Sequence, residues 1–271
     1  MWGPTRIRIV KPYQILPSTT SHKHEPLIPT LEVFSRLDLC DLDLNLNHLI
    51  ERGVEVEEVR RALASNGQRV WIVSGGWCDF FDPPPKIDET FGSVGRQVAM
   101  ARAFGVSVLR LFFGRLPLHE YCGEARETIV ANIRRLADQY PQIQFNFENH
   151  GGASSRPDVC RDVLERVGRA NARLTFDPIN FEHAGVGCSD ALREVQALVA
   201  HVHLKGYRQG GFCEFGEGDV DLTPVLRALI ADGYKGAFTV EYEGAFDRTL
   251  RLFQGVRRAK ATIDELLAPL R

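Results

Sequence analysis

The chain has 271 residues, with 44% hydrophobic and 25% charged residues, which is the balance of a folded globular protein and excludes a disordered tail, a fibre or a coiled coil. Its 33 basic and 35 acidic side chains leave a formal charge of −2, so no bulk positive charge is available to hold a nucleic-acid backbone. No apolar run approaches a membrane helix, and the first residues lack a signal-peptide core. The six cysteines (Cys40, Cys78, Cys122, Cys160, Cys188 and Cys213) form no CxxC pair. In a chain of this size they read as reduced thiols, and the expected setting is cytoplasmic.

In chain order, short apolar segments predict strands over 7–10, 39–44, 69–73, 106–113, 143–147, 173–176, 200–204 and 237–242. Helical patterns lie between them. Residues 54–64 place Val56, Val59 and Leu63 on one side, and 125–137 place Ile129, Ile133 and Leu136 together. Pro157-Asp158 opens a helix to 167. Thr223-Pro224 opens another that Gly233 ends, and the last runs over 246–267. The first unit is the weakest, because 11–38 is rich in Pro, Ser, Thr and His and offers only a short helix at 31–37. Eight strands alternating with helices, without a composition break, predict one domain over 1–271: an α/β fold, a closed parallel (β/α)8 TIM barrel. An open doubly wound sheet would need a Gly-rich phosphate turn, and neither GxGxxG nor GxxxxGK[ST] occurs.

Catalytic groups of such barrels sit at the C-terminal ends of strands. Four consecutive predicted ends carry metal-type ligands: Glu148, Asp177, His203 and Glu241. Three carboxylates and one imidazole form a hard, oxygen-dominated site that suits Mn²⁺ best, with Mg²⁺, Co²⁺, Fe²⁺ or Zn²⁺ as alternatives. A lone strand-end carboxylate is as often a solvated residue. Four in succession are harder to explain that way.

The segments FENHGG (147–152), FDPINFEHAG (176–185), HVHLKGY (201–207), GEGDVD (216–221) and VEYEG (240–244) resemble, in order and spacing, the xylose-isomerase-like barrel superfamily. That superfamily holds sugar isomerases, ketose 3-epimerases, inosose-type enzymes, hydroxypyruvate isomerases and AP endonucleases. The resemblance covers the C-terminal half well and the N-terminal half only in strand rhythm. It implies that Glu148 and Glu241 both bind the metal and flank the substrate carbon, one removing a proton alpha to a carbonyl and the other returning it. The metal would hold the oxygens of a cis-enediolate, with Asp177 and His203 as the remaining ligands. The DNA-repair branch has a histidine three residues after the strand-six aspartate. Here that position is Asn180, and no histidine follows His203, so a three-metal centre and DNA cleavage are not expected.

Candidate substrate contacts are His150, Asn180, His183, Lys205, Glu217, Trp77 and Arg115. Lys205 shares a strand face with His203, and Arg115 suits an anionic group. Trp77 and the Phe80-Phe81 pair offer aromatic faces for a sugar ring. His201 reads as a buried, hydrogen-bonded histidine, and Asp219 and Asp221 as turn and cap residues. Arg110 faces either the barrel interior or the helices. Asp43 receives no role, and His22, His24, His48 and His119 default to surface or loop positions.

The leading expectation is a metal-dependent isomerase or epimerase of a sugar, keto-sugar or polyol-derived ketone, without an organic cofactor. The alternative is a lyase on a keto-cyclitol, a dehydroshikimate-like acid or a 3-keto-glycoside through the same site. A third reading is a binding barrel or a partner-completed subunit. The expected partner is a carbohydrate-like small molecule, not nucleic acid or membrane, and a homo-oligomer is compatible with the sequence.

Overall fold

The computed structural model describes residues 13–268. Eight parallel strands form a nearly closed barrel: β1 (Gln14–Pro17), β2 (Asp41–Asn45), β3 (Arg69–Ser74), β4 (Val108–Phe112), β5 (Gln144–Glu148), β6 (Ala172–Phe176), β7 (Val199–Leu204) and, after a small antiparallel hairpin of β8 (Gly206–Arg208) and β9 (Gly211–Cys213), β10 (Ala237–Val240). Hydrogen-bonded neighbours run β1-β10-β7-β6-β5-β4-β3-β2, and a parallel bridge between Ser18 and Asp43 brings the two ends together. The expected TIM barrel is therefore observed.

The first strand is the main difference. The 7–10 segment lies outside the described residues, and the strand beside β10 is Gln14–Pro17, in register with Ala237–Val240. QILP is short and ends in proline, so it gives little local strand signal. Its position comes from pairing with a strand more than 200 residues away.

The helices are α1 (Leu27–Arg36), α2 (Asn47–Ile50), α3 (Val56–Ser65), α4 (Lys86–Ala103), α5 (Gly123–Gln139), α6 (Pro157–Val167), α7 (Pro178–His183), α8 (Cys188–Val195), α9 (Thr223–Ala231) and α10 (Arg248–Leu267). Their apolar stripes cover the outer face of the barrel. Val59 and Leu63 of α3, and Ile129, Ile133 and Leu136 of α5, are all buried. Along each strand the alternation sends Leu109, Leu111, Phe145 and Phe147 outward into that layer, where they are fully buried.

The inward set is of another kind. Ser74, Arg110, Asn146, Glu148, Thr175, His201, His203 and Thr239 are polar and almost wholly buried. Burying so many polar groups is costly unless they pair. In the lower part they do: His201 sits between Thr175 Oγ1 (3.2 Å) and Thr239 Oγ1 (2.7 Å). The six cysteines are free, as expected. No helix among the described residues is long and apolar enough to cross a membrane.

Two histidines depart from expectation. His22 and His48 are 1% exposed, not surface groups. His22 Nε2 lies 3.0 Å from Thr249 Oγ1, and His48 Nε2 lies 3.3 Å from the Thr19 carbonyl. Short helical turns after β1 and β2 fold over the barrel, and the His22 partner is 227 residues away, so no local pattern announces it.

Candidate metal centre

The four strand-end ligands converge. Asp177 and His203 are fully buried, and Glu148 and Glu241 are 3% and 4% exposed. His203 Nδ1 is 3.7 Å from Glu148 Oε2, 3.9 Å from Asp177 Oδ2 and 3.5 Å from Glu241 Oε2.

Each is placed by its own stretch of sequence. Glu148 ends β5, and Gly151 and Gly152 turn the chain away at φ values of +73° and +54°, a region that favours glycine. A side chain at Gly152 would run into the Leu116 carbonyl. Asp177 caps α7: its Oδ1 accepts from the backbone N–H groups of Ile179 and Asn180, both at 3.0 Å, and Pro178 fits the first helical turn. That leaves Oδ2 to face the cluster, where Lys205 Nζ lies 2.9 Å away. Asn149 fastens the two strand ends, accepting from the Asp177 N–H at 2.8 Å and donating to the Asp177 carbonyl at 2.9 Å. His203 pairs in register with Thr239, and the Glu241 N–H continues the ladder onto the Leu204 carbonyl at 2.9 Å.

The two glutamates have unlike surroundings. Glu148 Oε1 accepts from Asn180 Nδ2 (3.1 Å) and is hydrogen-bonded to His150 Nδ1 (3.2 Å). Its Oε2 faces Arg110 Nε at 3.3 Å. Burial opposes ionisation of Glu148, but His203, Arg110 and His150 outweigh it and hold the carboxyl well below its usual range. Glu241 Oε1 is buried without a hydrogen-bond partner. Burial pushes the Glu241 carboxyl up to about 7, against the pull of Lys205.

The residues fit a divalent cation. Both ring nitrogens of His203 are buried and unpartnered, an expensive state for an imidazole that a metal ligand resolves. Glu148, Asp177, Glu241 and Glu243 face two cations, Arg110 and Lys205, and the excess negative charge is of the kind a divalent ion would offset. Ligand atoms of Glu148, Asp177 and His203 lie within 4.8 Å of one another, as do those of Asp43, His201 and His203.

The other expected contacts separate into two groups. His150, Asn180 and Trp77 lie around Glu148. Trp77, 36% exposed, packs edge-on against Phe112 at 4.2 Å and His150 at 5.5 Å. Arg115 stacks on the outer face of Trp77 at 4.2 Å. Phe80 is fully buried against Phe91 and Phe147, so it offers no ring to a sugar. Lys205, 1% exposed, is held by Asp177 Oδ2 (2.9 Å) and Glu243 Oε1 (2.6 Å) and lies 4.6 Å from the Phe212 ring. Burial would lower the Lys205 ammonium, but those two carboxylates push it up. His183 bonds to the Tyr207 hydroxyl (3.0 Å) on the β8–β9 hairpin, and Glu217 pairs with Arg258 at 2.5 Å. These two side chains engage the hairpin and α10. Asp221 caps α9, as expected, accepting from the Thr223 N–H at 2.8 Å.

Above the centre lies a cavity of about 240 Å³, lined by Glu148, Glu241, Glu243, His150, Trp77, Arg110 and Phe112, and by Thr20, Lys23, Asn45, Asn47, Glu51 and Gly75 from the first three strand ends. Sequence reasoning missed Asn149, Glu243 and the residues from β1 and β2. Glu243 had a signal: Glu241 and Glu243 alternate just beyond β10 as His203 and Lys205 do at the end of β7 and just beyond it.

The family model for the xylose isomerase-like TIM barrel matches residues 35–265. The chain belongs to this family. Within the xylose isomerase-like family, it is 22% identical to the inosose dehydratase of Clostridium perfringens, over 70% of this chain and 74% of that protein. Two solved structures share the fold. D-allulose 3-epimerase from Methylomonas sp., in complex with D-allulose, has a TM-score of 0.78 and 17% identity, covering 92% of this chain and 97% of that one. A xylose isomerase-like TIM barrel protein from Mycobacterium smegmatis, in complex with magnesium, has a TM-score of 0.77 and 16% identity, covering 94% and 98%. The curated relatives bear the names of enzymes, inosose dehydratase from two strains of Clostridium perfringens and a putative hydroxypyruvate isomerase from Mus musculus.

Proposed function

We propose that this chain is a divalent-metal-dependent lyase that dehydrates a small polyhydroxylated ketone. The observation that carries the reading is the inequality of the two glutamates. Glu148 has both oxygens engaged, by His150 and Asn180 on one side and Arg110 on the other. Glu241 has an oxygen with no partner. A two-carboxylate isomerase or epimerase needs both to exchange protons. An elimination needs one base and one separate acid, and this supports the choice of dehydration over the isomerisation that the sequence alone favours.

Glu148, Asp177, His203 and Glu241 would hold the ion. A bound divalent ion would supply Lewis-acid polarisation of the substrate carbonyl, and Mg²⁺ or Mn²⁺ suits this donor set. Glu241 Oε1 takes the proton from the carbon alpha to the carbonyl. The C–H electron pair becomes the new C=C bond as the β-hydroxyl leaves. His150, beside Glu148 and lining the cavity, gives that hydroxyl its proton, so one water is released. Glu241 then returns its proton to solvent. Asn180 fixes Glu148 and His150 together, its Nδ2 being 3.1 Å from Glu148 Oε1 and 3.3 Å from His150 Nδ1. Trp77 closes one wall. The similarity to inosose dehydratase agrees with this chemistry and with a sugar-like substrate.

The test is incubation of the metal-loaded protein in D₂O with a panel of ketoses, keto-cyclitols and hydroxylated keto acids. The expected result is loss of water with appearance of a conjugated enone absorbance. Solvent deuterium at the alpha carbon without loss of water would move the assignment to isomerase or epimerase. No exchange or elimination on any compound with added Mg²⁺, Mn²⁺, Co²⁺ or Zn²⁺ would overturn both.

A further inference from the structure

Arg110 is on β4, 3% exposed, and forms part of the cavity wall. Its Nε and Nη1 are buried and have no hydrogen-bond partner. Its single ion pair, Nε to Glu148 Oε2, spans 3.3 Å, and Phe112 covers one face of the guanidinium at 4.3 Å. A guanidinium stays protonated in a protein, so burial cannot discharge it. Donors left unused in such a place cost free energy until something supplies acceptors. The backbone beneath is fixed. The Gly75 N–H donates to the Arg110 carbonyl at 2.8 Å, and a side chain at Gly75 would meet that carbonyl at 2.9 Å. Lys23 adds a second cation to the same cavity, and Asn45 and Asn47 add amides.

We propose that Arg110 is a specificity-determining residue that receives a carboxylate of the substrate, so that the preferred substrate is a hydroxylated keto acid or carboxylated keto-cyclitol and not a neutral sugar. The proposal rests on the dehydratase reading for the reaction it serves. A planar guanidinium offers parallel N–H donors that match the two oxygens of a carboxylate, whereas a hydroxyl engages one of them. The Phe112 ring holds that plane. A divalent ion at the centre, Arg110 and Lys205 would together offset the charges of Glu148, Asp177, Glu241 and Glu243, and Lys23 adds a cation to the cavity wall, so the repulsion a further anion meets is reduced. The cavity volume of about 240 Å³ suits a substrate of roughly one six-membered ring.

The test is calorimetric titration of the metal-loaded protein with quinate and myo-inositol, two polyhydroxylated six-membered rings with and without a carboxylate. The wild type is expected to bind quinate about ten-fold or more tightly than myo-inositol, as a charge-assisted pair implies. Arg110→Met is expected to bring the two within about two-fold, and Arg110→Lys to keep part of the preference, while metal affinity measured separately stays within about five-fold. Equal binding in the wild type would overturn the proposal, as would a preference that survives in Arg110→Met. Loss of metal in Arg110→Met would do so too, since Arg110 would then act through Glu148. A carboxylate preference without solvent exchange or elimination on any substrate would leave this inference standing and overturn the dehydratase reading. Elimination without a carboxylate preference would do the reverse.

Discussion

The barrel mouth has two arcs of different character. The arc from β5 to β10 carries Glu148, Asp177, His203 and Glu241, each at or just beyond a strand end and each turned to one point. The arc from β1 to β4 carries Asp43, Ser74, Arg110 and the rim residues Trp77, Asn45 and Asn47, of which Asp43 approaches that point beside His203 and Arg110 beside Glu148. The first arc concentrates negative charge, and the second supplies shape, amides and a cation. On the proposed function, the contrast means that ion holding and substrate selection would be divided between different halves of the chain. Substitutions in the first arc should abolish activity or folding, and substitutions in the second should change affinity.

The largest effect is expected at Glu241. Glu241→Gln keeps the shape but removes the proposed base, whose Oε1 is unpartnered and which lines the cavity. Turnover on the true substrate should fall by about 10³-fold, within the range for a lost general base. The melting temperature should change little. Near wild-type turnover in this variant would sink the one-base scheme. Next is Lys205→Met, which leaves Asp177 and Glu243 buried without their cation. Breaking a buried pair from one side costs about 3–5 kcal/mol, read by denaturant unfolding of the metal-free protein. A change below about 1 kcal/mol would mean that Lys205 is free for a ligand and not committed to the scaffold.

The two arcs were unequally legible in the sequence. Glu148, Asp177, His203 and Glu241 stood out because a metal ligand at a strand end follows a polar-apolar alternation and is followed by a turn signal, as in FENHGG and FDPIN. The barrel strands were found within one or two residues, except β1, whose four residues acquire their role only by pairing with β10, and the β8–β9 hairpin was not expected. Helix α4 went unmarked because Gly92 and Gly95 interrupt its stripe, although Ile87, Phe91, Val94 and Val98 are buried on one face. Arg110 stayed ambiguous because alternation on β4 fits either face. The choice is made by Glu148 on the neighbouring strand, in register with Phe112, and no local pattern contains that information. Asp43 had no visible partner because Ser74 and His203 are 31 and more residues away.

Asp43 sharpens the comparison from the second arc. It is fully buried, and its Oδ1 accepts from the Ser74 hydroxyl at 2.7 Å. Its Oδ2 is unpartnered, and the carboxylate lies within 4.8 Å of His203. The spare nitrogen of a metal-ligating histidine as a rule donates to a carboxylate or carbonyl, and losing that partner weakens metal binding about 10–100-fold. Asp43→Asn should therefore loosen the metal by roughly ten-fold, the lower end of that range, because the amide oxygen still accepts. Competition with a chelating dye measures it. An unchanged affinity would place Asp43 in the scaffold alone.

The smallest effect is expected at Trp77, on the rim of the second arc. Its indole is fixed from three sides, by Phe112, His150 and the Arg115 guanidinium, yet more than a third of its surface stays open. A ring held this way is a ready-made wall for the apolar face of a cyclic substrate. It touches neither Glu241 nor the ligand oxygens by any hydrogen bond or ion pair, so its contribution is the same before and during the reaction. A stacking contact of this kind contributes about 0.5–1.5 kcal/mol, equivalent to roughly 2–12-fold in affinity. Trp77→Ala should therefore raise KM by several-fold and leave kcat near its wild-type value, the pattern of uniform binding. A fall in kcat with KM unchanged would mean that Trp77 acts through His150, and the division between an arc that performs the chemistry and an arc that holds the substrate would have to be redrawn at that residue.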